Sequence, residues 1–374
     1  MTRQLQVEYL RQYYDVQVIT INQQSSSIET EGYIHRIPDL NKFRWIRYLE
    51  KFGLVEDTLY QWMKTAFSYL KDLVKEGDII FATTGGEIAC LKLGYLLKTH
   101  KPGAKFIINY HDLLDYGYYE GERVYNDFHV RIDDLEKHYA EKADWLLANS
   151  EIMKDILADK FVFMKERIDY VYFGYKPADL SGNSRKGNKE KIIIVYIGVM
   201  GALQSPETLL LAYRKLPPAY KQKFELIYVG DYSVNRIIAE AQDARKINYL
   251  PREKMLEVLM NEADLAYLPL IEKYAFRSFM GTKLYEFIGL EIPVLGHLPK
   301  DCEAERVINK EGFGITTIFG DEEALVRALQ SIADNPERLE QFRQNIKQRK
   351  QKYDSSQTLK KMKKIIDDML IPKT

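Results

Sequence analysis

The sequence predicts an α/β fold of two doubly wound, Rossmann-like domains facing a cleft. Three observations carry this. Short β-branched runs alternate with helical patterns over nearly the whole chain, most strands are continuously apolar, and one polar stretch divides the alternation into two blocks. Continuously apolar strands alternating with helices belong to parallel sheets covered on both faces. A length of 374 residues exceeds one ordinary core and agrees with two domains.

The first domain is expected over residues 1–175. It opens on a helix, "TRQLQVEYLRQYY", and its strands are "VQVITI", "DIIFATT", "KFIINYH", "WLLANS" and "DYVYFG". The helical pattern "LEKHYAEKA" precedes the fourth of them. The segment "KPADLSGNSRKGNKEK" has no apolar period, so residues 176–190 read as a linker. A second domain follows over 191–354, with strands "IIIVYIG", "FELIYVG", "INYL", "LAYLPL" and "IPVLGH" separated by helices. Ser205-Pro206 and Asn335-Pro336 read as N-cap followed by first helical turn. No strand follows the helix "QTLKKMKKIIDDML", so residues 355–374 are expected to pack back across the domains.

Composition narrows the function classes. Lys and Arg together equal Asp and Glu at 54 each, so no bulk electrostatic attraction to nucleic acid is expected. The two cysteines, Cys90 and Cys302, suit a reducing compartment. No apolar run approaches the ~18 residues of a membrane span, and the polar N-terminus has no signal-peptide core. These features point to the cytoplasm. "NKFRWIRYLEKFG", from Asn41 to Gly53, interleaves basic and aromatic residues. It reads either as a peripheral membrane contact, with Phe43 and Trp45 dipping in, or as a face packed on the first sheet. The 27 tyrosines are mostly amphipathic packing residues that also suit polar-ligand clefts.

Ligands of open parallel sheets bind at the carboxyl ends of strands. That rule selects Thr84, Gly85 and Gly86; His111 and Asp112; Gly198; Gly230 and Asp231; and the segment "GTKLYEFIGLEIPVLGH" from Gly281 to His297. In the last, Gly281 admits close backbone approach, and a helix starting near Thr282 aims N–H groups at an anion. Lys283 would add positive charge for a phosphate, and Glu286, one turn on, would accept hydrogen bonds from vicinal hydroxyls. The competing reading is an i,i+3 surface ion pair worth ~0.2–0.5 kcal/mol. His111 reads equally as a donor to a sugar hydroxyl or as a strand-end cap, and Asp112 equally as the N-cap of the next element. Gly85-Gly86 is an anion loop or only a tight turn. Neither G-x-G-x-x-G nor G-x-x-x-x-G-K-[ST] occurs, no D-x-D occurs, and no histidine has a zinc-ligand spacing. No metal is expected.

The stretch "GTKLYEFIGLEIPVLGHLPKDCEAERVINKEGFG", together with "INYLPREKMLEVLMNEADLAYLPL", "LEKHYAEKADWLLANSEIMKDIL" and "VYFGYKPADL", resembles the glycosyltransferases of family 4, which share the two-domain GT-B architecture. The resemblance covers about nine tenths of the chain, and Lys283–Glu286 is its most specific part. It implies a retaining transferase that moves a sugar from a nucleotide-sugar donor to a glycan or lipid-linked acceptor in cell-surface polysaccharide synthesis. No cofactor is implied, the donor being a substrate. Glu286 matches the second glutamate of the family's E-x7-E motif, which holds the donor ribose. Lys283 and the amides of Lys283 and Leu284 fall where the diphosphate is held. The donor-nucleotide set implied is Gly198, Gly230, Leu250, Arg277, Ser278, Thr282, Lys283, Leu284 and Glu286, with His111, Asp112 and Glu286 as catalytic residues.

Three departures stand out. Ser278 occupies the position of the first glutamate. The Arg and Lys that the best-studied members place after the first strand of the second domain are missing from "GVMGALQSPE", with Arg277 or Lys283 as candidate substitutes. The chain also proceeds from its first helix straight to the family's second strand. Because the family's opening strand lies mid-sheet, its absence would leave two strand edges open. A GT-B-fold protein that binds a glycan or a partner without catalysis is the alternative these departures suggest.

Overall fold

A computed structural model of the chain describes residues 2–22, 25–39, 49, 54, 56–57, 59–114, 118–119, 122–123, 127–176, 190–200, 204–272 and 274–370. It forms two compact units, one of Met1–Tyr172 with Thr358–Thr374, the other of Phe173–Gln357. The 176–190 segment and the Asn41–Gly53 segment fall almost entirely outside the described residues.

Unit 1 runs α1 (Thr2–Leu10), β1 (Val18–Asn22), β2 (Glu29–Glu31), β3 (Ile34–Pro38), α2 (Tyr60–Leu70), β4 (Ile79–Thr84), α3 (Ile88–His100) and β5 (Lys105–Tyr110). The antiparallel pair β6 (Tyr118–Tyr119) and β7 (Glu122–Arg123) comes next, then α4 (Asp127–Ala140), β8 (Trp145–Ala148), α5 (Glu151–Lys160) and β9 (Ile168–Tyr170). Strands β4, β5, β8 and β9 form a wholly parallel sheet in that order. A second sheet has the order β1-β3-β2, with β1 parallel to β3 and β2 antiparallel to it. The antiparallel β2 has no counterpart among the strands expected from the sequence. Its residues, Glu-Thr-Glu, are exposed along its length and carry no apolar signal.

Side chains alternate across β4, as the strand period requires. Ile80 packs with Ile19, Ile21 and Ile37 of the smaller sheet on a layer made by Trp62, Met63 and Ala66 of α2 and Leu93 of α3. Ile79 and Phe81 face the opposite layer, with Leu10, Ile107 and Leu147. Both sheets therefore share one helical layer. Yet β1 and β4 each lie at the outer end of their sheet, with no common strand between them among the described residues. The apolar residues of β4 are accordingly only partly buried. Two open edges are what the absent opening strand predicts.

Unit 2 runs β10 (Ile192–Ile197), α6 (Glu207–Lys215), α7 (Pro218–Lys221), β11 (Phe224–Val229), α8 (Arg236–Glu240), β12 (Arg245–Ile247), α9 (Arg252–Glu262) and β13 (Leu265–Pro269). It continues with α10 (Tyr274–Arg277), α11 (Thr282–Gly289), β14 (Val294–Leu298), α12 (Glu303–Glu311), β15 (Gly314–Ile318), α13 (Glu322–Asp334) and α14 (Glu337–Arg349). The six strands form a parallel sheet in the order β12-β11-β10-β13-β14-β15. Strand order reverses between β10 and β13, which is the switch point where such sheets open a crevice at their carboxyl ends. Three tyrosines, Tyr228, Tyr196 and Tyr267, lie in register across β11, β10 and β13 and are fully buried. The last helix, α15 (Ser355–Leu370), begins in unit 2 but buries Leu359, Met362, Ile365 and Ile366 in unit 1.

Several local expectations shift. The "INYL" strand ends at Ile247, because its only ladder partner β11 stops at Val229 and turns at Gly230; Tyr249 beyond it is exposed. Ser205 stands one residue before the N-cap, Pro206, although its hydroxyl still accepts from the Glu207 amide at 3.2 Å. Asn335 is not an N-cap. Its amide donates back to Ser331 O, and Pro336 takes the cap position with helical φ.

Candidate functional site

Two clusters of the selected residues sit at the carboxyl ends of the two parallel sheets, one in each unit.

In unit 2, α11 starts at Gly281, whose φ of +74° is a conformation glycine adopts without strain. Gly281 has no side chain to cap the helix, so the first-turn amides are left to meet a ligand. The apolar spacing of Leu284, Tyr285, Phe287 and Ile288 pins the opposite face into the core. That orientation brings Lys283 to the end of β10. Its ammonium donates to Gln204 Oε1 at 2.6 Å and lies 4.9 Å from the centroid of the Tyr196 ring. Tyr196 in turn donates to Val199 O at 2.6 Å, and its hydroxyl lies 3.0 Å from Gln204 O, so it cinches the loop that carries Gln204.

Two glycines make room for this arrangement. A Cβ on Gly198, whose φ is +122°, would stand 2.5 Å from Lys283 Nζ, and a Cβ on Gly230 would stand 2.1 Å from Gly198 O. Burial pushes the Lys283 ammonium down to about 8, against the opposing pull of Glu286. Glu286 is half-buried and pairs with Arg252 Nε at 3.0 Å. Its carboxyl is held above the ordinary carboxylate range by burial, which outweighs the Arg252 and Lys283 charges. The site thus offers a poised ammonium, a helix N-terminus, and a carboxylate one turn further along.

The remaining residues of the implied donor set are spread around this core. Thr282 is exposed, Leu250 is intermediate, and the Leu284 side chain is wholly buried, which leaves only its amide for a ligand. Ser278 is buried, and Arg277 reaches Glu272 at 4.0 Å.

In unit 1, His111 and Asp112 come directly after β5. The His111 amide donates to Thr84 O at 2.9 Å, its carbonyl accepts from the Asn149 side-chain amide, and only 8% of the residue is exposed. Burial, seconded by the Arg3 charge, pushes its imidazole down to about 3. Among the described residues no helix starts at Asp112, so it is not an N-cap. The Gly85-Gly86 turn is closed by its own side chains. Gly85 N donates to Glu87 Oε2 at 2.9 Å, Gly86 N to Thr84 Oγ1 at 3.1 Å, and Thr84 Oγ1 to Glu87 O at 2.8 Å. That pattern favours the tight-turn reading over the anion loop.

Sequence reasoning missed Gln204, Tyr196, Arg252 and Arg3. Arg252 carried one usable signal, its place in the first turn of a helix just after a strand end. Among the described residues no group of His, Cys, Asp and Glu could hold a metal, and no helix is long and apolar enough to cross a membrane.

Residues 181–349 match the family model described as glycosyl transferases group 1, and residues 1–178 match the one described as glycosyltransferase family 4. Among solved structures, HepE of Anabaena in complex with UDP superposes with a TM-score of 0.64 at 13% identity, over 94% of this chain and 100% of that one. HepE in complex with UDP-glucose gives 0.62 at 13% identity, over 94% and 99%. A UDP-forming α,α-trehalose-phosphate synthase from Burkholderia xenovorans gives 0.67 at 10% identity, over 96% and 99%. No curated protein sequence matches the chain. At these identities the structural likeness establishes the fold alone.

Proposed function

Since the chain belongs to the group 1 glycosyltransferases, family 4-like and of GT-B fold, we propose that it transfers a sugar from a nucleoside-diphosphate sugar to a glycan or lipid-linked acceptor, with retention of configuration, in the synthesis of a cell-surface polysaccharide. The observation that carries this reading is Lys283 beside Gly198 and Gln204, one turn from Glu286 and at the mouth of a helix.

In this reading the donor diphosphate displaces Gln204 from Lys283 and takes the first-turn amides of α11. Glu286 exchanges Arg252 for the two ribose hydroxyls. As the bond to the sugar breaks, negative charge grows on the departing diphosphate, and a fixed ammonium and helix N-terminus stabilise that charge without reorganising. His111 hydrogen-bonds a sugar hydroxyl from unit 1. Ser278 leaves the donor hexose without the usual first acid. UDP is the first nucleotide to try, because HepE binds it and the Burkholderia synthase releases it.

A panel of UDP, GDP and ADP read by calorimetry and thermal shift tests the proposal. One diphosphate is expected to bind, and Glu286→Ala is expected to weaken it by roughly tenfold to a hundredfold, the loss of charge-assisted hydrogen bonds worth ~1.5–3 kcal/mol. Absence of any nucleotide response would remove the donor site. The split first sheet and Ser278 favour one second reading, a glycan- or partner-binding subunit without catalysis. Donor hydrolysis or transfer by the purified chain would end it.

A further inference from the structure

We infer that Arg3 sets the tautomer of His111, so that the ring proton stays on Nε2 and His111 acts as a neutral hydrogen-bond donor rather than as a base. Arg3 lies in the first turn of α1 and points its Nε at His111 Nδ1, 3.5 Å away, across 108 residues of sequence. A guanidinium has donors only and stays charged at all working pH values. The nitrogen it faces must therefore present a lone pair, which leaves the proton to Nε2. A second proton on the ring would set two cations side by side in a buried place.

The backbone of His111 is clamped at both ends, by Thr84 O on its amide and by Asn149 on its carbonyl, so the ring has little freedom to turn away. The charged groups around it come from three elements. Where a Cβ on Gly85 would stand, Arg3 Nη2, Glu87 Oε2 and Asp112 Oδ2 converge at 2.9, 3.6 and 3.7 Å. Arg3 comes from α1, Glu87 from the turn after β4, and Asp112 from the loop after β5. The two carboxylates balance the guanidinium and keep it over Gly85. Burial and the Arg3 charge act in the same direction on the imidazole and hold it neutral. Arg3 is thus a positioning residue. Only the identity of the group that Nε2–H meets, a sugar hydroxyl oxygen, rests on the transferase reading.

Long-range proton–nitrogen correlation spectra of the full chain test this without any substrate, with His111→Gln identifying the resonances. The His111 ring is expected in the Nε2–H form from pH 5.5 to 8, with no titration in that range. Arg3→Met is expected to bring the midpoint up into the range and to mix the tautomers, while Arg3→Lys, which keeps a donor and a charge, restores the single form. In a transfer assay kcat/KM is expected to stay flat below pH 7 for the parent and to gain an acid limb in Arg3→Met, with donor KM unchanged. An Nδ1–H tautomer, or a parent His111 titrating between pH 6 and 7, would overturn the inference. Failure of every donor to bind would remove the transferase reading and leave the spectra to decide the tautomer.

Discussion

Lys283 is a cation held where burial works against its charge. A bound diphosphate favours the ammonium, so nucleotide affinity is expected to be level below about pH 8 and to fall above it, by up to about tenfold per unit, until the bound group also titrates. Calorimetry between pH 6.5 and 9.5 reads this directly, and a flat profile would mean that Lys283 does not meet the anion. Tyr196→Phe keeps the core volume but releases Val199 O and the loop of Gln204, and is expected to cost about 1 kcal/mol in urea titration together with nucleotide affinity. His297 gives a stability signature of its own. It accepts from the Gly320 amide at Nε2, faces Thr317 Oγ1 through Nδ1, and is pushed down to about 4 by burial. The unfolded chain therefore binds a proton that the folded one refuses between about pH 6.5 and 4, and stability present above that window is lost as pH falls through it. Urea midpoints at pH 7.5 and 5 are expected to fall for the parent, and by less for a His297→Gln variant. At this scale the sequence revealed Lys283, Glu286 and Gly198, because their spacing and strand-end positions are local. Gln204 and Arg3 were invisible, since they reach their partners across 79 and 108 residues.

Elements were legible where the signal was periodic. The strands of both parallel sheets were read from continuous apolar runs, and the amphipathic face of α15 from Leu359, Met362 and Ile366. Boundaries set by partners rather than by composition were not, as β12 shows: it stops where β11 turns, not where its apolar residues end. A cap of the ordinary kind holds α5, whose Ser150 hydroxyl accepts from the Met153 amide at 3.1 Å in a fully buried position. Ser150→Ala is expected to destabilise unit 1 by ~1 kcal/mol in a denaturant titration. The open edges of β1 and β4 belong to this scale too. Each presents a row of backbone donors and acceptors that can pair with a foreign strand.

At the scale of the whole molecule, the chain passes from unit 1 into unit 2 and back again. The return segment buries four apolar side chains of α15 in unit 1. At ~1.5–3 kcal/mol each, that is comparable to the ~5–15 kcal/mol that holds a domain together. A chain ending at Gln357 is therefore expected to lose the unit 1 transition in calorimetry while keeping that of unit 2. Loss of both would show that the units do not fold separately.

This path also dictates an order of events during synthesis. Thr358 to Leu370 leave the ribosome after every residue of unit 2, so the half of the molecule made first is finished last. Until then its apolar layer around Ile107 and Leu147 waits uncovered, and a nascent chain is most in need of a chaperone there.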